Sequence, residues 1–265
     1  MFPLNLPLRV FMSGVSGSVG RLVALRILDE GCRIEGAFGL EEGSDVGSLL
    51  GLPPMGVKVR SSLREALGSC APEAAVDFTS AEVLWDNLMA YLDAGVPAVV
   101  GTTGLSLDQQ ELLPRLVAEK GGRIALIPNF SLGVNLVMDF LDKASRFFPW
   151  ASVTDRHHEA MANAPSGTAV SLAGLLGGGG EVKSCEVVPN VLGGSVGGVR
   201  VHSERMPFPK DFSEHQIDLG RPGELIRITV TDFSSRVYVD GVILALSRVR
   251  DLREGSLVTS LGEFM

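Results

Sequence analysis

The chain has 265 residues, which is enough for one large core or two smaller ones. Hydrophobic residues make up 45% and charged residues 20% of it, a balance that is typical of a folded protein and argues against disorder. The formal net charge of −8, without any cluster of Lys and Arg, argues against nucleic acid as a partner and favours small molecules.

The N-terminal sequence and the cysteines predict a cytoplasmic protein. The opening stretch, MFPLNLPLRVF, lacks the basic segment of a secretory signal. No uncharged apolar run approaches the ~20 residues of a membrane helix, so we expect no membrane association. Cys32, Cys70 and Cys185 are odd in number and widely separated, which favours reduced thiols over disulfides or a cysteine metal site.

The segment from Leu8 to Gly31 predicts a strand, a glycine-rich turn and a helix. Gly14, Gly17 and Gly20 lie at three-residue spacing between the strand and the helix. This spacing allows backbone N–H groups and the helix N-terminus to approach a pyrophosphate closely. The turn therefore predicts a dinucleotide site, with a purely structural turn as the alternative.

A second strand should end near Leu40, with Glu41 and Glu42 directly after it. Glu41 follows the last glycine of the turn by about 20 residues, the usual offset for a carboxylate that binds the adenosine ribose. Glu42 is the adjacent candidate, and either residue could be an ordinary surface acid. No Arg or Lys follows before Lys58, so a 2′-phosphate would meet two negative charges, and we expect NADH to be preferred over NADPH.

Strands and helices continue to alternate as far as residue 131. This alternation predicts a parallel sheet whose ligand lies at the carboxyl ends of the strands. Three segments that follow predicted strands should converge there, at residues 77–79, 101–103 and 128–130.

After one more helix the pattern changes at Trp150. Short β-type runs with few helices between them predict a mixed or antiparallel sheet in a separate substrate domain. These runs are ASVTDRH, EVKSCEVV, GVRVHSERM, EHQIDLG and ELIRITVTD. The glycine-rich stretches GLLGGGGE and VLGGSVGGV are predicted to be connections, and the tail from Asp240 is predicted to return to a helix that folds back on the first domain.

The segment 156–169, RHHEAMANAPSGTA, joins a strand end to a helix start. Histidine is the residue type suited to proton transfer near neutral pH, so one of His157 and His158 can donate a proton to a reduced carbon while the other binds an anion. The helix start at 166–168 offers N–H groups, hydroxyls and a dipole for a substrate carboxylate, with a simple N-cap role for Ser166 as the alternative. We expect no metal site, because adjacent side chains on a strand diverge.

Together these motifs resemble the dihydrodipicolinate reductase family, also described as 4-hydroxy-tetrahydrodipicolinate reductases, over nearly the whole chain. The motifs are GxxGxxG at 14–20, DFT at 77–79, GTTG at 101–104, NFSLGVN at 129–135, HHEAMANAPSGTA at 157–169, SEHQIDL at 213–219 and PGE at 222–224. GTTG, NFS-GVN and APSGTA are specific in combination, and none of them is specific alone.

The resemblance implies an α/β fold in which a Rossmann-like domain over residues 1–129 is completed by residues 238–265. It implies an inserted α+β substrate-binding and oligomerisation domain over residues 130–237, which forms a homotetramer and closes on the first domain about a hinge. The implied reaction belongs to lysine and diaminopimelate biosynthesis. In it, NADH or NADPH delivers a hydride to a cyclic dicarboxylic imine after water has left the hydroxylated precursor.

The resemblance also assigns residues to roles. His157 matches the proton donor and His158 a substrate-binding histidine, while Gly167 and Thr168 match the carboxylate cradle, to which we add Ser166. The residues expected to hold the cofactor are Gly14, Val15, Ser16, Gly17, Ser18 and Val19 at the pyrophosphate, Glu41 at the ribose, and Gly101, Thr102, Thr103, Ile127, Pro128, Asn129 and Phe130 at the nicotinamide end.

The chain departs from the family pattern at several positions. The family motif HHxxK has Met161 in place of its lysine, which removes a charged hydrogen bond worth about 1–3 kcal/mol from the expected dicarboxylate site. The usual ribose-binding acid aligns with Leu40 and the Arg after it with Glu41. Ser80 stands where an Arg often follows DFT, and Thr231 stands where the family has a histidine.

The missing lysine leaves two alternatives to a working reductase of this family. One is a related NAD-dependent imine or amino-acid dehydrogenase that accepts a less charged substrate. The other is a non-catalytic homologue that keeps the nucleotide platform. Retention of both histidines favours catalysis. Arg156 and Lys183 are candidates to replace the lysine's charge.

Overall fold

The computed structural model describes residues 8–177 and 184–265. These residues form two compact units, one comprising the chain up to Leu132 together with Arg236–Met265, and the other comprising Gly133–Ser235. The expected domain boundaries lie within three residues of these divisions.

The strands and helices follow one another along the chain. The strands are β1 (Arg9–Ser13), β2 (Arg33–Phe38), β3 (Val59–Arg60), β4 (Ala74–Asp77), β5 (Ala98–Val100), β6 (Arg123–Leu126), β7 (Trp150–His158), β8 (Gly194–Val196), β9 (Val199–Met206), β10 (Ser213–Arg221), β11 (Glu224–Asp232) and β12 (Ser256–Val258). The helices are α1 (Ser18–Asp29), α2 (Val46–Leu50), α3 (Leu63–Gly68), α4 (Ala81–Ala94), α5 (Leu107–Glu119), α6 (Leu132–Ala144), α7 (Gly167–Leu176) and α8 (Val239–Arg248), with short 3-10 turns at Ser235–Tyr238, Val249–Asp251 and Leu261–Phe264.

The first unit is built on a seven-stranded sheet in the order β12-β6-β5-β4-β1-β2-β3. Its strand pairs are parallel. The order reverses between β1 and β4, and in such sheets the ligand crevice lies at the carboxyl ends of the strands beside the reversal. The predicted Rossmann-like sheet is therefore confirmed.

Apolar strands and one-sided helices form the core of this unit. β4 and β5 are buried along their whole length, as strands covered on both faces must be. Helix α1 buries Val23, Ala24 and Ile27 on one side. The tail forms the expected helix, α8, and then adds β12 to the edge of the sheet beside β6, a strand that the periodicity of the tail did not predict.

The second unit contains a five-stranded mixed sheet in the order β11-β10-β7-β9-β8. β7 runs parallel to β9 and antiparallel to β10. Residues of α6 and α7, including Leu141 and Leu172, share a core with Val153 and Ile217 of the sheet. The expected mixed sheet is confirmed, and none of the helices in the described part of the chain is long and apolar enough to cross a bilayer.

Two stretches between α7 and β9 differ from their predicted secondary structure. Gly194–Val196, expected to be a connection, forms β8 at the edge of the second sheet. Residues 184–188 of EVKSCEVV form no strand, and the rest of that run lies outside the described residues. Both differences arise because edge pairing depends on the neighbouring strand and not on local propensity.

A buried carboxylate organises the strand ends of the first unit. Asp77, at the end of β4, is fully buried and accepts hydrogen bonds from neutral groups: the hydroxyls of Tyr91 at 2.9 Å, Thr79 at 2.7 Å and Thr102 at 2.9 Å, and Nδ2 of Asn87 at 2.8 Å. Burial, together with the charge of Asp77, raises the pKa of Tyr91 well above its usual value, so the phenol stays protonated and donates.

The same network reaches β1 and the turn after β5. The Tyr91 hydroxyl donates its hydrogen bond to Asp77, so it accepts one from the Ser13 hydroxyl at 2.6 Å. The Thr79 N–H donates to the Thr102 hydroxyl at 2.8 Å. These bonds hold the carboxyl ends of β1, β4 and β5 together, which is where a parallel sheet binds its ligand.

Candidate active site

The turn between β1 and α1 requires glycine at two positions, 14 and 20. Gly14 has φ +79, and a Cβ there would lie 2.1 Å from the carbonyl oxygen of Phe78. A Cβ on Gly20 would lie 2.1 Å from the Gly14 carbonyl oxygen, so the helix start packs directly on the turn. Gly17 is the N-cap of α1, so no side chain covers the first N–H groups of the helix. This cradle fits a pyrophosphate.

The expected cofactor residues differ in how much they expose. Ser16, Gly17 and Ser18 are exposed on the turn, as are Thr103 and Pro128 at the nicotinamide end. Buried residues can contact a ligand mainly through their backbone groups, and these are Val15, Thr102, Ile127 and Phe130. The half-buried residues are Gly14, Val19, Gly101 and Asn129.

The acids after β2 fit a ribose site, but one premise about their surroundings was wrong. β2 ends at Phe38, and Oε2 of Glu41 is buried without a hydrogen-bond partner among the described residues, which suits an acceptor for a ribose hydroxyl. The sequence placed no cation near these acids before Lys58. The structure places Arg60 beside Glu42, with Nη1 3.6 Å from Oε1, because β3 pairs with β2.

A cavity of about 450 Å³ lies at the carboxyl ends of β5 and β6. Thr102, Thr103 and Pro128 line it together with apolar residues of α4 and α5, among them Leu84 and Leu113. Three of the residues expected at the nicotinamide end thus share one pocket.

In the second unit, β7 places its two histidines on opposite faces. Side chains alternate along a strand, so His157 lies on the buried face with Val153 and Asp155, while His158 lies on the face of Arg156. His157 is 8% exposed and stands opposite Arg205 of β9.

The carboxylate of Asp155 is the centre of the buried face. It is fully buried and accepts hydrogen bonds from Ser166 N at 3.1 Å, Ser166 Oγ at 2.8 Å, Ser203 Oγ at 3.2 Å and Arg205 Nη2 at 2.9 Å. Nε2 of His157 lies 2.7 Å from Oδ1 of the same carboxylate.

The contact between His157 and Asp155 is an electrostatic one. Nε2 lacks a hydrogen bond of normal angle within the described part of the chain, although its distance from Oδ1 is that of one. Attraction between charges depends on their separation and little on alignment, so the short distance brings the two groups into electrostatic contact. Burial alone would raise the pKa of Asp155, but the close contact with His157 and the hydrogen bonds from Ser166 and Arg205 outweigh it and hold that pKa well below its usual range.

His215 of β10 completes the cluster as a neutral group. Burial lowers its pKa to about 4, against the attraction of Asp155. Its Nε2 lies 3.2 Å from the Ser166 hydroxyl, whose own proton goes to Asp155, so the proton of the neutral ring is on Nε2. The rings of His215 and His157 meet edge to face, with centroids 5.3 Å apart.

Two family models match almost the whole chain. One, described as dihydrodipicolinate reductase, N-terminus, matches residues 8–130, and the other, described as dihydrodipicolinate reductase, C-terminus, matches residues 133–263. The chain belongs to the dihydrodipicolinate reductase family. The resemblance inferred from the motifs is confirmed.

Individual relatives agree with the dihydrodipicolinate reductase assignment. A 4-hydroxy-tetrahydrodipicolinate reductase of Moorella thermoacetica is 34% identical over 93% of this chain and 94% of its own, and one of Desulfitobacterium hafniense is 32% identical over 97% and 98%. A dipicolinate-bound dihydrodipicolinate reductase from Paenisporosarcina sp. TG-14 has a similar structure, with a TM-score of 0.82 at 24% identity over 98% of this chain and 100% of that one. An amine dehydrogenase from Mycobacterium smegmatis shares the fold, with a TM-score of 0.68 at 15% identity over 98% and 97%.

The dihydrodipicolinate reductase motif after β7 forms a short loop before α7. The N–H of Ala160 donates to Nδ1 of His158 at 3.0 Å, so the neutral ring carries its proton on Nε2 and presents a donor there. Met161, in place of the family lysine, is 37% exposed. Arg156 does not replace that lysine, because Glu204 at 2.7 Å and Glu214 at 2.6 Å already bind it. Lys183 lies outside the described residues.

At the start of α7, the hydroxyl and the backbone have different tasks. Ser166 is 2% exposed, and its hydroxyl accepts from Ala169 N at 3.2 Å while donating to Asp155. The alternative reading of Ser166 as an N-cap is therefore correct for its side chain. Gly167 is exposed, with no atom of the described chain within 4 Å of where a Cβ would be. The helix start thus offers a carboxylate backbone groups and space.

Asp155, His157 and His215 are also of the residue types that bind metals, and one possible ligand atom from each lies within 4.8 Å of the other two. The spacing argument missed this convergence because His215 comes from a separate strand. A metal would compete with the Ser166 hydroxyl for Oδ1 and would lie close to the Arg205 guanidinium on Oδ2. The residues therefore fit a hydrogen-bond network better than a metal centre.

The sequence reasoning left Asp155, Ser203 and Arg205 out of the site. Asp155 carried a usable signal, since a residue two before His157 on a strand shares its face. Ser203 and Arg205 reach the site through pairing of β9 with β7, which the local sequence does not show.

We predict that His215 makes the folded protein less stable in mild acid. Its pKa is about 4 when folded and 6.5 in the unfolded chain, so the unfolded state binds an extra proton between these values. The free energy of unfolding is therefore unaffected by His215 above pH 6.5, and it falls by about 3 kcal/mol as the pH approaches 4. Urea unfolding of the wild type and His215→Gln at several pH values measures this. Parallel pH curves for the two proteins would contradict it.

Proposed function

We propose that this chain is a 4-hydroxy-tetrahydrodipicolinate reductase, an NAD(P)H-dependent enzyme of lysine and diaminopimelate biosynthesis in the cytoplasm. The observation that carries the proposal is the imidazole of His157, held 2.7 Å from a buried carboxylate in a chain of this family. A histidine so placed is suited to proton transfer near neutral pH. The family membership supplies the substrate, a cyclic dicarboxylic imine formed when the hydroxylated precursor loses water.

Each unit has its own part in this reaction. In the first unit, the glycine turn at 14–20, Glu41 and the turn at 101–103 hold the cofactor, which supplies a hydride when bound. In the second unit, His157 provides the proton, so that a hydride and a proton together saturate one double bond of the ring. The Nε2–H of His158 and the backbone of Gly167 and Thr168 bind the substrate carboxylates.

The second unit also offers a surface for assembly into a homotetramer. The face of its sheet opposite His157 exposes Trp150 and Leu225, which are 48% and 64% exposed and lie in one row across β7, β10 and β11. Large exposed apolar side chains on a sheet face are typical of interfaces. We expect light scattering to give a mass four times the 28.1 kDa of the chain, and Leu225→Lys to lower it. A monomer for the wild type would contradict this.

NADH is the preferred cofactor in this proposal. A 2′-phosphate would lie beside Glu41 and Glu42, and the nearby Arg60 is already paired with Glu42. We expect kcat/KM for NADH to exceed that for NADPH at least tenfold, and Glu41→Gln to reduce the ratio. Steady-state kinetics with both cofactors measures this, with Glu35→Gln, an acid within β2, as the control. A tenfold preference for NADPH would reject the assignment.

The proposed reaction is tested by NADH oxidation with freshly generated 4-hydroxy-tetrahydrodipicolinate. We expect turnover by the wild type and a loss of about 10²–10⁴-fold in kcat for His157→Ala, because the proton donor is removed. Binding of NADH should be unchanged in that variant. His202→Ala, on β9 and outside the cluster, is the control and should keep wild-type kcat.

Met161 favours a second candidate, a reductase of an imine with fewer carboxylates, because the described loop lacks the family's point charge. Adding Met161→Lys to the same assay separates the two. If the dicarboxylate is the substrate, the variant should lower KM about tenfold or less, since one charged hydrogen bond is gained. A wild type without turnover that becomes active in Met161→Lys would support the second candidate or a non-catalytic homologue.

A further inference from the structure

We propose that Asp155 is a positioning residue for His157: its carboxylate fixes the ring with Nε2 toward Oδ1, so that the proton passed to the substrate leaves from Nδ1. The proposal rests on the proposed function, in which His157 is the proton donor. It adds a residue and a specific ring nitrogen to that reaction.

The carboxylate is rigid, which is what a positioning group requires. Four hydrogen bonds from Ser166, Ser203 and Arg205 hold it, and they come from two segments of the unit: the start of α7 for Ser166 and strand β9 for the other two. Arg205 also donates to the carbonyl oxygen of Asn163 at 2.7 Å, so the loop before α7 is fixed to the same group. A ring against Oδ1 has little freedom to turn.

Charged and polar groups surround the His157 ring. The groups that face it are Asp155, Arg205, His215 and Asp232. Asp155 is ionised and Arg205 balances it, while His215 is neutral because burial lowers its pKa to about 4. Burial raises the pKa of Asp232, against attraction from His157. Oδ1 of Asp155, 2.7 Å from Nε2, is the charge nearest to the ring.

The proton step then balances without another reactant. The imidazolium of His157 loses its Nδ1 proton to the ring carbon next to the one that received the hydride, and a new C–H bond forms. The histidine becomes neutral and keeps its remaining proton on Nε2, facing Asp155, whose carboxylate stays ionised throughout. Water restores the Nδ1 proton. An acid that orients a histidine and stabilises its cation has the same role in hydrolase triads.

The test compares Asp155→Asn with Asp155→Glu in the full-length enzyme. Asparagine keeps the size of the side chain but replaces one acceptor oxygen by a donor, so we expect kcat to fall at least 100-fold, with the basic limb of its pH profile moved to lower pH. NADH affinity should stay within twofold. Glutamate keeps both acceptors and should recover at least a tenth of wild-type kcat. Asp93→Asn, which removes a surface ion pair with Arg64 in the first unit, is the matched control and should keep kcat within twofold.

A double variant shows whether Asp155 acts through His157. In the His157→Ala background, Asp155→Asn should change kcat by less than threefold, because the group it positions is gone. Losses that multiply in the double variant would overturn the proposal. A His157→Ala enzyme with wild-type kcat would instead overturn the proposed function.

A measurement on the wild type covers the case in which Asp155→Asn does not fold. Nitrogen-15 NMR of the His157 ring above its titration should show the neutral form protonated on Nε2. A ring protonated on Nδ1 would reject the proposed orientation, whether or not the enzyme turns over.

Discussion

The second unit is organised around the buried negative charge of Asp155. Asp155 is fully buried and ionised, and its lone pairs are filled by donors from β9 and from the start of α7. A buried carboxylate without such partners would be protonated or would destabilise the fold by several kcal/mol. The positions of the helix start, of Arg205 and of His157 are therefore linked, because all three contact the two oxygens of this carboxylate. A chain that folds this unit correctly has also assembled its histidine site.

The first unit also contains a buried carboxylate, and its hydrogen-bond donors are neutral groups. Asp77 takes its hydrogen bonds from hydroxyls and an amide, and the described residues place no cation beside it. The difference suits the two tasks. A cofactor site needs strand ends at fixed positions, and the hydrogen bonds from these neutral groups to Asp77 supply that. A proton-transfer site needs a charge next to the ring, and Asp155 supplies it while Arg205 limits the local imbalance.

How much the sequence could predict depended on the range of the interactions. The turn of Gly14, Gly17 and Gly20 and the start of α7 at Ser166 are local, and their residue types alone predicted them. Strand alternation along β7 was enough to separate His157 from His158. The partners Arg60, Arg205 and His215 come from neighbouring strands, and no local pattern tells which residues face each other across a pair. For this reason the charge argument at Glu42 missed Arg60, and the hydroxyl of Ser166 was assigned to a substrate when Asp155 holds it.

The role inferred for Asp155 also bears on the lysine that Met161 replaces. Arg156 is bound by two glutamates and Arg205 by Asp155, so neither offers its charge to a ligand. In the described loop after β7 and at the start of α7, the donors offered to a dicarboxylate are neutral ones, the Nε2–H of His158 and backbone N–H groups, which bind an anion without neutralising its charge. In the proposed reaction, the proton of His157 supplies a positive charge that the anion meets on binding and that is given up as the ring is reduced. Because Met161 carries no charge, the attraction of the anionic substrate depends more on the proton of His157, which Asp155 positions. Substrate binding and protonation then depend on the same imidazole.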